Sequence, residues 1–251
     1  PDRKHGILVI VTWWMNWHFR NSIELLVGYG LILGAIWTPL PIQRSFMLIA
    51  VLWLFGTTFL EAQSATALGL GASGFWESLW LVLLALGLAT ITLLGAARLH
   101  TLHWLTSARY IHWVPWAYVG WSFVQQFLLQ GYFLTRLLTL LRDRRSAIVL
   151  AAGLFSLAHI PNPVLTILTL VWGLVSCAIF LRYRNLYVLG LAHAILGLCV
   201  AFAVPNSVHH QMRVGLGYLQ YHHQGSAGVQ RSQRNQMVST DAWVMADASS
   251  R

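Results

Sequence analysis

Charged residues are scarce in this sequence. Only 9% of its 251 residues are Asp, Glu, Lys or Arg, whereas a typical soluble domain carries about 25%. Hydrophobic residues make up 57% of the chain, and 13 residues are tryptophan. This composition excludes an ordinary soluble domain. It predicts an all-α fold, a multi-pass transmembrane helical bundle of about seven or eight helices.

Cysteines and acidic residues are also few. Cys177 and Cys199 both fall inside apolar segments, which excludes a disulfide framework, and neither has an obvious activating partner for a catalytic role. Seven acidic residues stand against 16 basic ones, for a formal net charge of +9. The arginines lie between apolar segments and in the C-terminal tail rather than in one patch. We therefore expect no nucleic-acid partner, because anchoring of cytoplasmic loops explains the arginines better.

Apolar runs follow one another along most of the chain. The predicted spans are 23–40, 45–61, 78–98, 113–136, 146–160, 163–182 and 186–204, preceded by an interfacial helix at 6–18. Outside the tail, basic residues concentrate on the side that holds the N-terminus and the 137–145 loop, with Arg136 counted as a loop-end residue. This bias predicts that the N-terminus is cytoplasmic.

Five polar side chains interrupt the later apolar runs. Gln125, Gln126 and Gln130 lie inside one predicted span, and His159 and His193 lie inside two others. An unpaired amide in an apolar medium costs about 2–7 kcal/mol, so these side chains must face protein or a wet cavity. Gln126 and Gln130 are four residues apart and therefore share a helix face. The pattern predicts one polar cavity formed by three helices.

The same residues form three short motifs in a fixed order. The first reads Gln-Gln-x-x-x-Gln-Gly-Tyr from Gln125, the second reads Phe-x-x-x-His and ends at His159, and the third reads His-x-x-x-Gly from His193. Residues 121–197 thereby resemble the CPBP family of intramembrane proteases, which includes the CAAX prenyl endopeptidases and bacteriocin-processing proteins. That family carries Glu-Glu-x-x-x-Arg followed by Gly and an aromatic residue, then Phe-x-x-x-His, then His-x-x-x-Asn or Asp.

The departures from the family pattern affect the motif residues that carry the family's chemistry. A motif glutamate of the family is taken to activate a water, whereas the amides of Gln125 and Gln126 cannot accept its proton. Gln130 replaces the family's arginine, so glutamate and arginine are lost together and a neutral network remains. Gly197 stands where the family has Asn or Asp.

Other residues must then supply a general base. His159 or His193 can serve, since an unperturbed imidazole titrates near pH ~6.5. Glu24, Glu61 and Glu77 are the acids nearest to the spans, although a carboxylate at a span end is more often a solvated flank. Two histidines are too few for a closed zinc site, and glutamine is a poor transition-metal ligand, so we expect no metal and no other cofactor.

The resemblance implies an intramembrane endopeptidase that acts on a membrane-anchored or lipidated peptide. Its candidate catalytic residues are His159, His193, Gln125, Gln126 and Gln130. The alternative is a catalytically inactive relative that binds a membrane peptide as an immunity, scaffold or chaperone-like factor. A transporter is less well supported, because no inverted hydropathy repeat is visible.

The domain organisation follows from these assignments. Residues 1–110 are predicted to form the interfacial helix and accessory spans, residues 111–205 the CPBP-like core helices, and residues 206–251 a juxtamembrane segment and a disordered tail. We expect an integral membrane protein of a prokaryotic plasma membrane, with the lipid bilayer and a peptide substrate as its partners.

Overall fold

The structure is a computed structural model that describes residues 3–61, 64–102 and 114–221, with side chains from Trp17 onward in the first range and from Pro115 onward in the last. All regular structure in these ranges is helical. The helices are α1 (Arg3–Trp37), α2 (Ile42–Leu60), α3 (Phe75–Ser78), α4 (Trp80–Arg98), α5 (Val114–Gln126), a π-helix (Phe127–Leu134), α6 (Thr135–Leu140), α7 (Arg144–Leu157), α8 (Pro163–Tyr183), α9 (Leu186–Ala203) and α10 (Asn206–His209).

Five helical segments of the described residues are long and apolar enough to cross a membrane. They are Trp17–Trp37, Ile42–Leu60, Phe75–Arg98, Pro163–Tyr183 and Leu186–Ala203. They coincide with five of the predicted spans, and the prediction of an all-α membrane bundle is confirmed. The predicted span at 113–136 corresponds to α5 and the π-helix, and the predicted span at 146–160 corresponds to α7, which has only 14 residues.

The predicted interfacial helix at 6–18 is not a separate element. The helix α1 runs without a break from Arg3 to Trp37, because this stretch contains no proline to end it. At the other end of the chain, the predicted juxtamembrane segment contains α10 and a 3-10 turn at His210–Met212. The predicted disordered tail at 224–251 lies outside the described residues.

The starts of α7, α8 and α9 are set by capping side chains. Asp143, Asn162 and Asn185 precede these helices, and Pro163 occupies the first position of α8, where its missing N–H costs nothing. The capping oxygens accept hydrogen bonds from the backbone N–H groups of Ser146, Leu165 and Val188. The caps therefore fix the turns on either side of α8, including the one that carries His159.

Close helix packing surrounds the later motifs. The helix α7 packs along α8, and α9 packs against both α4 and α5. On α7, Ala147, Ala151 and Ala152 are fully buried, and a Cβ added at Gly173 on α8 would lie 3.0 Å from the Cβ of Ala152. Small residues let the two backbones approach, as in other membrane helix pairs.

A buried ion-pair cluster joins α1, α2 and α6. The guanidinium of Arg136 is 1% exposed and lies 2.9 Å from a carboxylate oxygen of Glu24 and 3.3 Å from one of Glu61. Arg20 approaches the same two carboxylates at 3.4 and 3.6 Å. The loop-end position predicted for Arg136 is therefore wrong, as is the prediction that Glu24 and Glu61 are solvated flanks. The side chains of Arg136, Glu24 and Glu61 are buried as mutually neutralising charges, whereas the side chain of Arg20 is 55% exposed.

Candidate functional site

A large cavity lies at one end of the bundle. Its volume is about 1460 Å³, which exceeds the roughly 300–1,000 Å³ of most small-molecule sites. Its walls come from the C-terminal halves of α1, α7 and α9, from α5, from the N-terminal halves of α2 and α8, and from the segment 206–220. Among the described residues no Asp or Glu lines it. The titratable or charged side chains in its wall include His159, His193, His209 and Arg213.

A chain of hydrogen bonds between uncharged side chains positions the imidazole of His193. The side-chain amide nitrogen of Gln126 lies 2.9 Å from Nδ1 of His193, and the amide nitrogen of Gln130 donates to Oε1 of Gln126 at 3.1 Å. The thiol of Cys177 donates to Oε1 of Gln130 at 3.3 Å. Gln126, Gln130 and Cys177 are all fully buried. The polar groups of this network thus form hydrogen bonds to one another, and none of them is charged.

The orientation of the two glutamine amides favours one tautomer of His193. With the amide nitrogen of Gln126 facing Nδ1, that nitrogen donates, Nδ1 of His193 accepts, and the imidazole proton is assigned to Nε2. The reverse orientation of both amides would present the nitrogen of Gln130 to the sulfur of Cys177, which is a weak acceptor. His193 therefore offers an Nε2–H donor to the cavity that it lines.

His159 has the opposite tautomer. Its Nδ1 lies 2.7 Å from the backbone carbonyl oxygen of Phe155, which can only accept. Nδ1 of His159 is consequently protonated, and Nε2 is left as a proton acceptor. The two imidazoles flank one phenyl ring, because the ring centroid of Phe155 lies 5.0 Å from that of His159 and 6.2 Å from that of His193. One cavity thus contains a basic nitrogen and an N–H donor.

The five predicted site residues occupy two layers. Gln125, His159 and His193 line the cavity, whereas Gln126 and Gln130 lie behind His193 with no exposed surface. Glu24 and Glu61 belong to the ion-pair cluster, Glu77 is exposed, and none of these three lines the cavity. Among the described residues no three His, Cys, Asp or Glu side chains come together as a metal site would require.

A π-helix carries Gln130. Its backbone hydrogen bonds close on the fifth residue rather than the fourth, an arrangement that is rare and frequent at functional sites. The Phe127 ring stacks on Phe55 at a centroid distance of 5.1 Å, and a Cβ added at Gly131 would lie 3.2 Å from that ring. A larger residue at position 131 would therefore have to displace the Phe127 ring slightly, and within this turn Gln126 and Gln130 stay in hydrogen-bond contact.

Tyr118 is the site residue that the sequence did not reveal. Its ring and hydroxyl lie against Gly197 on α9, where a Cβ would overlap them, and Tyr118 lines the cavity. Gly197 is one helical turn after His193 and on the same face. The hydroxyl of Tyr118 therefore occupies the space of the Asn or Asp side chain expected at position 197. The glycine at motif position 197 indicates that a side chain is missing there, but the sequence does not show which distant residue fills that space.

The fold and the site define a class: an α-helical membrane protein in which polar residues converge on two histidines, the buried His193 and the half-buried His159. Residues 107–199 match the family model for type II CAAX prenyl endopeptidases, described as Rce1-like. The match contains all five predicted site residues together with Tyr118 and Gly197, and it confirms the resemblance to the CPBP family for this part of the chain. Comparisons with curated proteins and with solved structures give no match.

Restoring the family's asparagine at Gly197 is expected to destabilise the protein. Gly197→Asn introduces a Cβ that overlaps Tyr118, and overpacking of this kind costs about 1–3 kcal/mol. The measurement is thermal unfolding in detergent. Gly197→Asn combined with Tyr118→Ala is the matched control, because it removes the ring that collides. If the single and double variants unfold at the same temperature, Tyr118 does not fill the space of the missing side chain.

Proposed function

We propose that the protein is an intramembrane endopeptidase of the CPBP type, in which two neutral histidines perform the work of the family's carboxylate site. The observation that carries this proposal is the pair of opposite tautomers at one cavity, with Nδ1 of His159 bonded to a carbonyl and Nδ1 of His193 bonded to an amide nitrogen. The family match over residues 107–199 supports peptide hydrolysis as the reaction class.

In this mechanism His159 is the general base. Its Nε2 takes a proton from a water as the water oxygen attacks the carbonyl carbon of the scissile peptide bond. When the tetrahedral intermediate collapses, the C–N bond breaks and His159 gives the proton to the leaving amine. Positioned acid–base groups contribute about 10²–10⁴-fold to a rate. Gln125, in the cavity wall, orients the water or the carbonyl but cannot remove the proton.

His193 and Tyr118 stabilise the oxyanion. Both are neutral donors that line the cavity, through Nε2–H and O–H respectively. A preorganised donor stabilises the negative charge that develops on the carbonyl oxygen without any reorganisation during the reaction. Gln126 and Gln130 act indirectly, because they hold His193 in its donor tautomer.

The substrate is a membrane-anchored or lipidated peptide. Apolar side chains from several helices line the cavity around the histidines, among them Phe55, Leu128 and Phe202. A volume of about 1460 Å³ accommodates an extended peptide segment together with a lipid chain. Burial of that chain against apolar walls contributes about 0.8 kcal/mol of binding free energy for each CH₂ group that is removed from water. A chain that moves into the cavity from the bilayer contributes less, because it was not in contact with water.

The Tyr118→Phe variant is expected to cleave peptide about 10²-fold more slowly than the parent, with KM little changed. The substitution keeps the ring against Gly197 and removes one oxyanion donor, and loss of one such donor costs about 10²–10³ in kcat. Initial rates over a range of substrate concentrations separate kcat from KM. An unchanged kcat would remove Tyr118 from the oxyanion site.

A second function is favoured by one specific observation. No acidic side chain of the described residues lines the cavity, so the strongest base available in its wall is an imidazole. A relative that has lost hydrolysis and retains binding would have the same fold and the same apolar cavity. Such a protein would bind a membrane peptide as an immunity, scaffold or chaperone-like factor.

The proposal is tested by cleavage assays on the purified full chain in liposomes. The substrates are a prenylated peptide and an unlipidated single-span peptide, each with a fluorescent reporter at both ends. We expect full turnover by the parent and by His18→Ala, a control histidine in the middle of α1, and turnover about 10²–10⁴-fold slower by His159→Ala. Binding of either peptide with equal affinity by all variants, with no cleavage by any of them, would reject the protease and support the binding protein.

A further inference from the structure

A second, smaller cavity lies at the opposite end of α7 and α8 from the histidines. It has a volume of about 290 Å³ and lies between the end of α6, the start of α7 and the end of α8. Its lining residues are Leu138, Leu141, Leu181, Arg142, Arg144 and Arg184. Half of the wall is therefore cationic and half is aliphatic.

No acidic side chain neutralises these three arginines within the described residues. The carboxylate of Asp143, the nearest acid in sequence, caps α7 through hydrogen bonds from the backbone N–H of Ser146 at 3.0 Å, its hydroxyl at 2.9 Å and the backbone N–H of Arg145 at 3.2 Å. The same hydrogen bonds hold the pKa of the Asp143 carboxyl below its usual value. Asp143 does not line the cavity. Three like charges around one cavity repel each other until an anion enters.

Arg184 is held in position before any ligand arrives. It ends α8 in the left-handed conformation, with φ of 50°, which is uncommon for a residue other than glycine. Its Nη1 donates to the backbone carbonyl of Ala67 at 3.2 Å, and its guanidinium carbon lies 5.3 Å from the ring centroid of Phe180. A preorganised guanidinium loses less entropy when it binds an anion.

We propose that Arg142, Arg144 and Arg184 bind the phosphate group of an anionic phospholipid. Guanidinium groups match phosphate oxygens through paired N–H donors, and the three leucines in the same wall fit the start of the acyl chains. A lipid is favoured over a free anion because the cavity lies at the end of apolar helices, where headgroups are found. This inference is independent of the proposed protease activity.

The test counts lipids bound to the purified full chain by native mass spectrometry. Dioleoylphosphatidylglycerol is the anionic probe, and dioleoylphosphatidylcholine carries the same acyl chains without net charge. We expect Arg142→Gln and Arg144→Gln each to weaken phosphatidylglycerol binding about fivefold, the effect of one basic residue at an anionic lipid surface. Arg145→Gln is the matched control, because Arg145 adjoins Arg144 and does not line the cavity.

Two results would overturn the lipid assignment. If Arg145→Gln weakens phosphatidylglycerol binding as much as Arg142→Gln does, the effect is general surface charge and the cavity is not a site. A separate arm titrates inorganic phosphate alone. If phosphate binds in the absence of lipid, displaces phosphatidylglycerol and no longer binds to the same two variants, the ligand is a soluble phosphate compound.

Arg184→Lys keeps the charge and removes the guanidinium fork. This variant is expected to bind phosphatidylglycerol more weakly than the parent while it remains folded by circular dichroism.

Discussion

The His159→Ala variant is expected to lose about 10²–10⁴-fold in peptide cleavage rate while it binds the peptide as well as the parent does. The reason is the tautomer of His159: its Nδ1 donates to the carbonyl of Phe155, so Nε2 is the accessible proton acceptor of the pair. The imidazole is half-buried in a loop between α7 and α8, so truncation leaves the helices intact. Single-turnover rates in liposomes measure the chemical step directly.

His193→Ala provides the comparison for this prediction. Because His193 contributes a hydrogen-bond donor, its loss resembles the removal of an oxyanion donor, about 10²–10³ in kcat. His193→Gln keeps a neutral N–H donor and is expected to retain more activity than His193→Ala, whereas His159→Gln is expected to be as inactive as His159→Ala. If the glutamine rescue occurs at His159 and not at His193, the two roles are reversed.

The Arg136→Ala variant is expected to lose about 3–5 kcal/mol of stability, the largest effect on folding that we predict. Glu24 accepts two hydrogen bonds from the guanidinium of Arg136, at 2.9 and 3.1 Å, and both carboxylates are buried. Removal of Arg136 takes away the buried cation of the cluster, and Arg20, which also approaches both carboxylates, is 55% exposed. The cation also lies 3.8 Å from the ring centroid of Tyr132, which belongs to the same π-helix as Gln130.

Two controls separate the loss of charge pairing from the loss of side-chain volume. Arg145→Ala removes an exposed arginine from the first turn of α7 and is expected to leave stability unchanged. The triple variant Arg136→Met, Glu24→Gln, Glu61→Gln removes the charges together and is expected to be more stable than Arg136→Ala, because no buried charge is left unpaired. Unfolding by denaturant in mixed micelles gives the comparison. Equal stability of the parent and Arg136→Ala would show that the cluster contributes nothing.

The sequence predicts the helices better than it predicts their contacts. Long apolar runs require a spanning helix because the bilayer leaves no other way to satisfy the backbone, and five predicted spans coincide with observed helices. Hydropathy alone could not pair Arg136 with Glu24, 112 residues away in sequence. At the end of a span, an arginine that marks membrane topology and one that forms a buried ion pair have the same sequence context.

The candidate site, too, could be predicted from the sequence only in part. Motif spacing singled out His159, His193 and the three glutamines as candidates, and the structure places Gln125, His159 and His193 in one cavity wall with Gln126 and Gln130 behind His193. It could not identify Tyr118, since an empty position at Gly197 can be filled from any neighbouring helix. Nor could it determine the two tautomers, which depend on hydrogen bonds made to residues behind the cavity.

The measurement that tests this account most directly is the tautomeric state of the two histidines. Nitrogen NMR of the purified protein, with selectively labelled histidine, distinguishes a protonated from an unprotonated ring nitrogen, and His159→Ala and His193→Gln assign the signals. We predict an unprotonated Nε2 in His159 and an unprotonated Nδ1 in His193, with the His193 signal altered in Gln126→Leu. If both histidines carry the proton on the same nitrogen, the cavity does not contain a base and a donor, and the mechanism proposed here is wrong.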